Sequence, residues 1–188
     1  MKLNRRTIAF AVILIAATTL IKFICAPIFG LSGFSSIIAI ALFAGMSAKQ
    51  KKSSFMLPLV ALLISDVIIE GLYQLNLFSF HGIYKYQLLN YAILLLVTLI
   101  GWAIKGKNIA SIAIASFAAP TMFFLFSNFS VWFFSTTMYT KDFSGLMMCY
   151  EAGLPFYRNA LISTFLFVPA IMFAYNYIVE SKKQIALS

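Results

Sequence analysis

Two carboxylates four residues apart, Asp66 and Glu70, stand in an apolar stretch that otherwise reads as a membrane span. At that spacing both lie on one face of a helix, one turn apart. An ionised group in hydrocarbon costs several kcal/mol unless it meets a partner or a cavity, so such residues mark a structural ion pair or a site. Lys22, inside the first apolar run, is the third member of this class. One reading pairs Lys22 with Glu70 and gives Asp66 an interhelical hydrogen bond. The other places Asp66 and Glu70 in a binding pocket, with Lys22 snorkelling to the headgroups.

With both chain ends cytoplasmic, a rise of ~1.5 Å per residue puts Asp66 about 16 Å into the membrane, and Glu70 and Lys22 about 22 Å in. Asn90, Asn128, Arg158 and Asn159 fall at the same outer level, and the inner half carries no comparable cluster. This asymmetry predicts a pocket open to the extracytoplasmic side. Its candidate ligand-binding residues are Asp66, Glu70, Asn90, Asn128, Trp132, Tyr139, Tyr150, Glu151, Arg158 and Asn159.

The least generic stretch reads S-N-F-S-V-W at 127–132, Tyr139, and then C-Y-E-A-G-L-P-F at 149–156. Trp132, Tyr139, Tyr150, Phe156 and Tyr157 can stack on a flat ligand, with Asn128, Glu151, Arg158 and Asn159 orienting it. An interfacial aromatic belt would account for the Trp and Tyr, but it would not call for Asn, Glu and Arg interleaved so closely. The segment 128–156 is expected to be a connection of about thirty residues, long enough for a functional lid. A second outer connection, 73–86, carries His81.

Catalytic patterns are missing, so no enzyme is expected. His81 is the only histidine, and there is no G-x-S-x-G elbow, H-E-x-x-H pair or phosphate-binding Gly-Lys loop. Two cysteines with one histidine make a poor metal site, and no cofactor is expected. Cys25 and Cys149 both fall near the outer surface, where an oxidising compartment would permit a disulfide.

These residues are positioned by long apolar runs. Apolar residues make up 62% of the 188 positions and charged ones 10%, far from the roughly half and quarter of a soluble domain. The fold class is an all-α polytopic helix bundle in one integral membrane domain covering the whole chain. Spans are predicted at 7–25, 32–48, 55–73, 87–104, 109–127 and 157–179. Threaded from a cytoplasmic start, Lys2, Arg5, Arg6, Lys49, Lys51, Lys52, Lys105, Lys107, Lys182 and Lys183 fall inside, and only Lys85, Lys141 and Arg158 outside. Ten against three sets both termini inside, as expected of an inner-membrane protein.

The net charge of +9 resides in short clusters between apolar runs, which suits contact with the lipid bilayer and excludes a nucleic-acid partner. Lys2, Arg5 and Arg6 ahead of an apolar run also resemble a signal peptide, but Lys22 within the run favours a retained helix. Small residues four apart, Ala41 with Gly45 and Ser111 with Ala115 and Ala119, predict faces for close helix packing. Pro120 and Pro169 are expected to bend the last two spans.

The overall plan resembles the substrate-binding S-components of energy-coupling-factor vitamin transporters, small six-helix proteins with cytoplasmic ends and an outer ligand site. The third span, L-P-L-V-A-L-L-I-S-D-V-I-I-E-G at 57–71, is similar in style to the third helix of such subunits, which would make Glu70 a ligand contact. The S-N-F-S-V-W and C-Y-E-A-G-L-P-F motifs look more specifically like an uncharacterised family of bacterial inner-membrane proteins. The resemblance implies a small-molecule ligand and energising transporter subunits as partners. In one respect the chain departs from it. S-components commonly dock through A-x-x-x-A in the first helix, and here Ala9, Ala11, Ala16 and Ala17 never fall four apart. The chain would then act alone, use another partner, or have lost transport.

Two functions follow as expectations: a substrate-binding subunit for uptake of a small vitamin-like molecule, or a non-transporting membrane scaffold or assembly subunit.

Overall fold

Hydrocarbon offers no partner to backbone N–H and C=O groups, and a helix satisfies them within one segment. The computed structural model describes residues 5–25, 28–47, 51–83, 85–105 and 108–180. Its elements are α1 (Arg5–Cys25), α2 (Ile37–Ser47), α3 (Lys51–Gln74), α4 (Gln87–Ile104), α5 (Ile109–Phe134) and α6 (Phe143–Tyr175), the last running into a π-helical turn, Asn176–Glu180. No strand occurs among the described residues, and five helices are long and apolar enough to cross a membrane. Of the basic residues that set the predicted orientation, Lys2, Lys49, Lys107, Lys182 and Lys183 lie outside the described residues.

The second predicted span is corrected. Helix α2 has 11 residues, about 16 Å, and does not cover a ~30 Å core. Residues 28–36 are instead turns, with Gly30 and Gly33 at φ +62 and +85. Side chains of other elements satisfy this irregular backbone. Asn159 Nδ2 donates to Ser32 O at 2.9 Å, and Thr18 Oγ1 lies 2.8 Å from Ser36 Oγ. Gly33 is required twice over: its φ suits glycine, and a Cβ there would lie 2.9 Å from Phe156 O.

Being apolar on every side, α2 becomes the centre of the bundle, with every residue from Ile37 to Gly45 buried. It packs against α3, α4, α5 and α6, most extensively against α4. The α2–α4 crossing is close because both helices offer glycine there. A Cβ on Gly45 would run into Thr98 O, and one on Gly101 into Leu42 O. The predicted small-residue faces are used inside the bundle, since Ala41, Ala115 and Ala119 are fully buried. Outward, α1 presents Val12 and Leu20, α3 Met56 and Val67, and α6 Leu166 and Phe173, as a lipid-facing surface requires.

The long outer connection is also corrected. Helix α5 continues to Phe134 and α6 starts at Phe143, so 135–142 alone join them. Asp142 Oδ1 caps α6 by accepting from Gly145 N at 2.7 Å. Lys141 Nζ donates to Trp132 O and to Phe133 O at the C-terminal end of α5, where a cation complements the helix dipole. Gly153 lets the two helices close, because a Cβ there would collide with the Asn128 side chain. A helical hairpin replaces the expected lid.

Candidate ligand-binding site

Helix pairing brings several chain-distant polar groups to one end of the bundle. This is the end that holds the last turns of α1 and α3, the start of α2 and α4, and the second half of α5. A partly enclosed cavity of about 630 Å³ lies there. Lys22 reaches it from α1, Asp66 from α3, Gln87 and Asn90 from α4, and Ser127 and Asn128 from α5. Ser32 to Ser35 line it as irregular backbone, which at membrane depth is tolerated where it borders a cavity.

The base of the site is a four-residue network around Asp66, which is only 4% exposed. Lys22 Nζ donates to Oδ1 at 2.8 Å; Tyr91 Oη at 3.0 Å and Gln87 Nε2 donate to Oδ2. The expected partnership is thereby corrected: Lys22 pairs with Asp66 rather than with Glu70 or the headgroups. A buried carboxylate needs both a counter-charge and donors on its remaining lone pairs, and α1 and α4 converge on α3 to supply them.

Glu70 has a different task. Its Oε2 accepts from Gly82 N at 3.0 Å and Ile83 N at 3.2 Å, with His81 Nδ1 3.5 Å away, and Gln74 Nε2 donates to its Oε1 at 2.8 Å. Gly82 can approach because it lacks a Cβ, which would strike Asp66 O and Glu70 N. Tyr73 packs on the His81 ring, 3.7 Å between centroids. Glu70 therefore pins the α3–α4 connection, whose Phe78, Phe80, His81 and Gly82 form part of the cavity wall.

Among the sequence candidates, the cavity wall gathers Asp66, Asn90 and Asn128, and Glu70 supports it from behind. Asn159 is buried and stands just behind the wall, holding Ser32. Trp132, Tyr139, Tyr150, Glu151 and Arg158 are not on the wall. The Trp132 ring donates through Nε1 to Thr140 O and lies under the Lys141 ammonium. Tyr150 Oη donates to Leu125 O at 3.0 Å, tying α6 to α5. Tyr139, in the short α5–α6 connection, has its phenol raised above the usual range by burial, with the Cys149 thiol beside it. Glu151 and Arg158 are exposed on α6. Cys25 and Cys149 are free thiols, and Cys149 Sγ donates to Asn128 O at 3.3 Å.

The wall also contains residues that the sequence reading passed over. Gln87 reads as an interfacial residue at the head of a span, and Phe34, Phe78, Phe80, Phe123 and Phe124 read as ordinary apolar positions. One signal was available: Gln87, Asn90 and Tyr91 recur at helical spacing, giving α4 one polar face.

Apolar helices facing outward around a cavity that holds embedded polar and ionisable groups define a multi-pass helical membrane protein. Within that class the chain belongs to the DUF6580 family, a family of unknown function, which it matches over residues 1–186. No curated protein and no solved structure matches the chain.

Proposed function

We propose that the protein binds a small, vitamin-like molecule in this cavity and serves its uptake across a bacterial inner membrane, as an S-component-like subunit with both termini cytoplasmic. The observation that carries the reading is the cavity itself, lined by Lys22, Asp66 and Gln87 of a network that Tyr91 completes from behind. Embedded ionisable groups are retained where they border a path or a site. A volume of about 630 Å³ lies within the range of small-molecule sites. The basic residues favour placing its open side outside, away from the cytoplasm.

The fold also bears on the scaffold alternative. The small-residue faces it would use, around Ala41, Gly45, Ala115 and Ala119, are buried within the bundle and are not free for a partner. In uptake, ligand would enter past the α3–α4 connection and rest on the network, and the bundle or an energising partner would then expose it inward.

Native mass spectrometry of the chain released from its own membrane tests the reading. A small molecule retained by the wild type and lost in Asp66→Asn supports binding. Solute accumulation that is unchanged when the gene is deleted would remove the uptake part of the proposal, and a stoichiometric partner protein with no small molecule would restore the scaffold.

A further inference from the structure

We infer that the cavity takes a flat, uncharged ring compound and discriminates against anions and cations of the same shape. The inference rests on the binding reading above and adds the chemical class of the ligand. The ionisable groups on the wall are already matched. Lys22 and Asp66 neutralise each other at 2.8 Å, and His81 lies against Glu70. An anion that drew Lys22 from Asp66 would leave a carboxylate that is 4% exposed without its counter-charge, and one that shared the ammonium through a second N–H would sit beside that carboxylate and be repelled by it. A cation would compete with three donors already on that carboxylate. Either exchange uncovers a buried charge, which costs several kcal/mol.

The remaining wall suits a neutral ring. Phe34, Phe78, Phe80, Phe123, Phe124 and Tyr157 supply aromatic faces from four different elements. Asn90, Asn128 and the serines place amide and hydroxyl groups, which carry no charge, on the wall. Gln87, on the wall and 8% exposed, has its Nε2 committed to Asp66, and no donor among the described residues reaches its Oε1. One feature pulls the other way: the N-terminus of α2 faces the cavity through Ile37 and Ile38, and a helix N-terminus carries about half a positive charge. Ser35 Oγ already accepts from Ile37 N at 3.3 Å, and half a charge does not match the loss of the Lys22 pairing.

The test is a triad of nearly isosteric probes, naphthalene-2-carboxamide, 2-naphthoate and 2-naphthamidine, titrated by calorimetry into the full chain in nanodiscs, with empty nanodiscs as the partition control. The amide is expected to bind at least about tenfold more tightly than either ion, the minimum that an uncovered buried charge implies. Asp66→Asn, which releases Lys22, is expected to move the preference toward naphthoate. Tighter binding of naphthoate or naphthamidine by the wild type would overturn the inference and leave the binding reading standing. Equal affinity for all three would do the same. Heats indistinguishable from empty nanodiscs for every probe would count against both. The wild-type comparison decides the question even if Asp66→Asn fails to fold.

Discussion

Lys22 and Asp66, 44 residues apart in the chain, meet at 2.8 Å and join the end of α1 to the third turn from the end of α3. The Lys22 side chain, which lines the cavity, is about a quarter exposed, and the carboxylate is buried. The pair fastens two helices and closes the base of the cavity with no net charge.

Removing one partner should therefore be worse than removing both. Lys22→Met leaves Asp66 buried without a counter-charge and is expected to lower stability by about 3–5 kcal/mol, whereas Lys22→Met with Asp66→Leu should recover much of that loss. Thermal unfolding of the two single variants and the double variant in detergent gives the coupling. Additive losses would show that the two side chains act separately.

The α2–α4 crossing makes a second prediction. Gly45→Ala or Gly101→Ala puts a methyl group into backbone carbonyl oxygen and must push the helices apart, at a cost of about 1–3 kcal/mol or more. Gly71→Ala is the control, because its Cβ would meet nothing within 4 Å. Melting temperatures of the three variants should separate accordingly, and a Gly45→Ala variant as stable as Gly71→Ala would contradict the close packing.

Glu70 should act through the connection it holds. Glu70→Ala removes the acceptor for Gly82 N and Ile83 N, so hydrogen exchange at 82 and 83 should accelerate while amides in the α2 core stay protected. Any loss of ligand affinity should come with that loosening. Affinity lost with the exchange rates unchanged would mean instead that Glu70 touches the ligand.

The α5–α6 hairpin carries a pH dependence. Gly145 N–H, and then the Thr140 hydroxyl, hold the Asp142 carboxyl below its ordinary range. A carboxylate lowered on folding stabilises the folded form above its unfolded pKa, near 4, and that contribution is lost as pH falls through the lower folded value. Exchange at Gly145 and the first turn of α6 should rise in acid, and Asp142→Asn, which keeps a capping oxygen, should flatten the response. A wild-type response unchanged by Asp142→Asn would point to another group.

The sequence carried the apolar runs, and five of them form long helices because periodic hydropathy and length are local properties. The shortening of α2 was only faintly legible. Its polar start, Ser32 to Ser36 with two glycines nearby, sits in an otherwise apolar run, and what frees that backbone from helix is tertiary: Asn159 and Thr18 arriving from α6 and α1. The helical hairpin was hidden for the opposite reason. Glycine and proline at Gly145, Gly153 and Pro155 read as breakers, whereas Gly145 and Gly153 serve close contacts with Thr140 and Asn128 and Pro155 lies within α6. Asp66 and Asn128 stood out as polar groups in apolar surroundings. Gln87 did not, since its importance comes from the carboxylate it meets across the bundle.

The half-length of α2 has an electrical consequence. In a bilayer, the space above its N-terminus is the open cavity, and α2 itself is close-packed Ile, Leu, Phe and Ala. Beneath the cavity the low-dielectric septum is then thinner than the full ~30 Å core. A given membrane voltage falls over a shorter distance there, so the field is stronger than across the full core. The Lys22–Asp66 pair stands at the upper rim of that septum, where the voltage begins to drop.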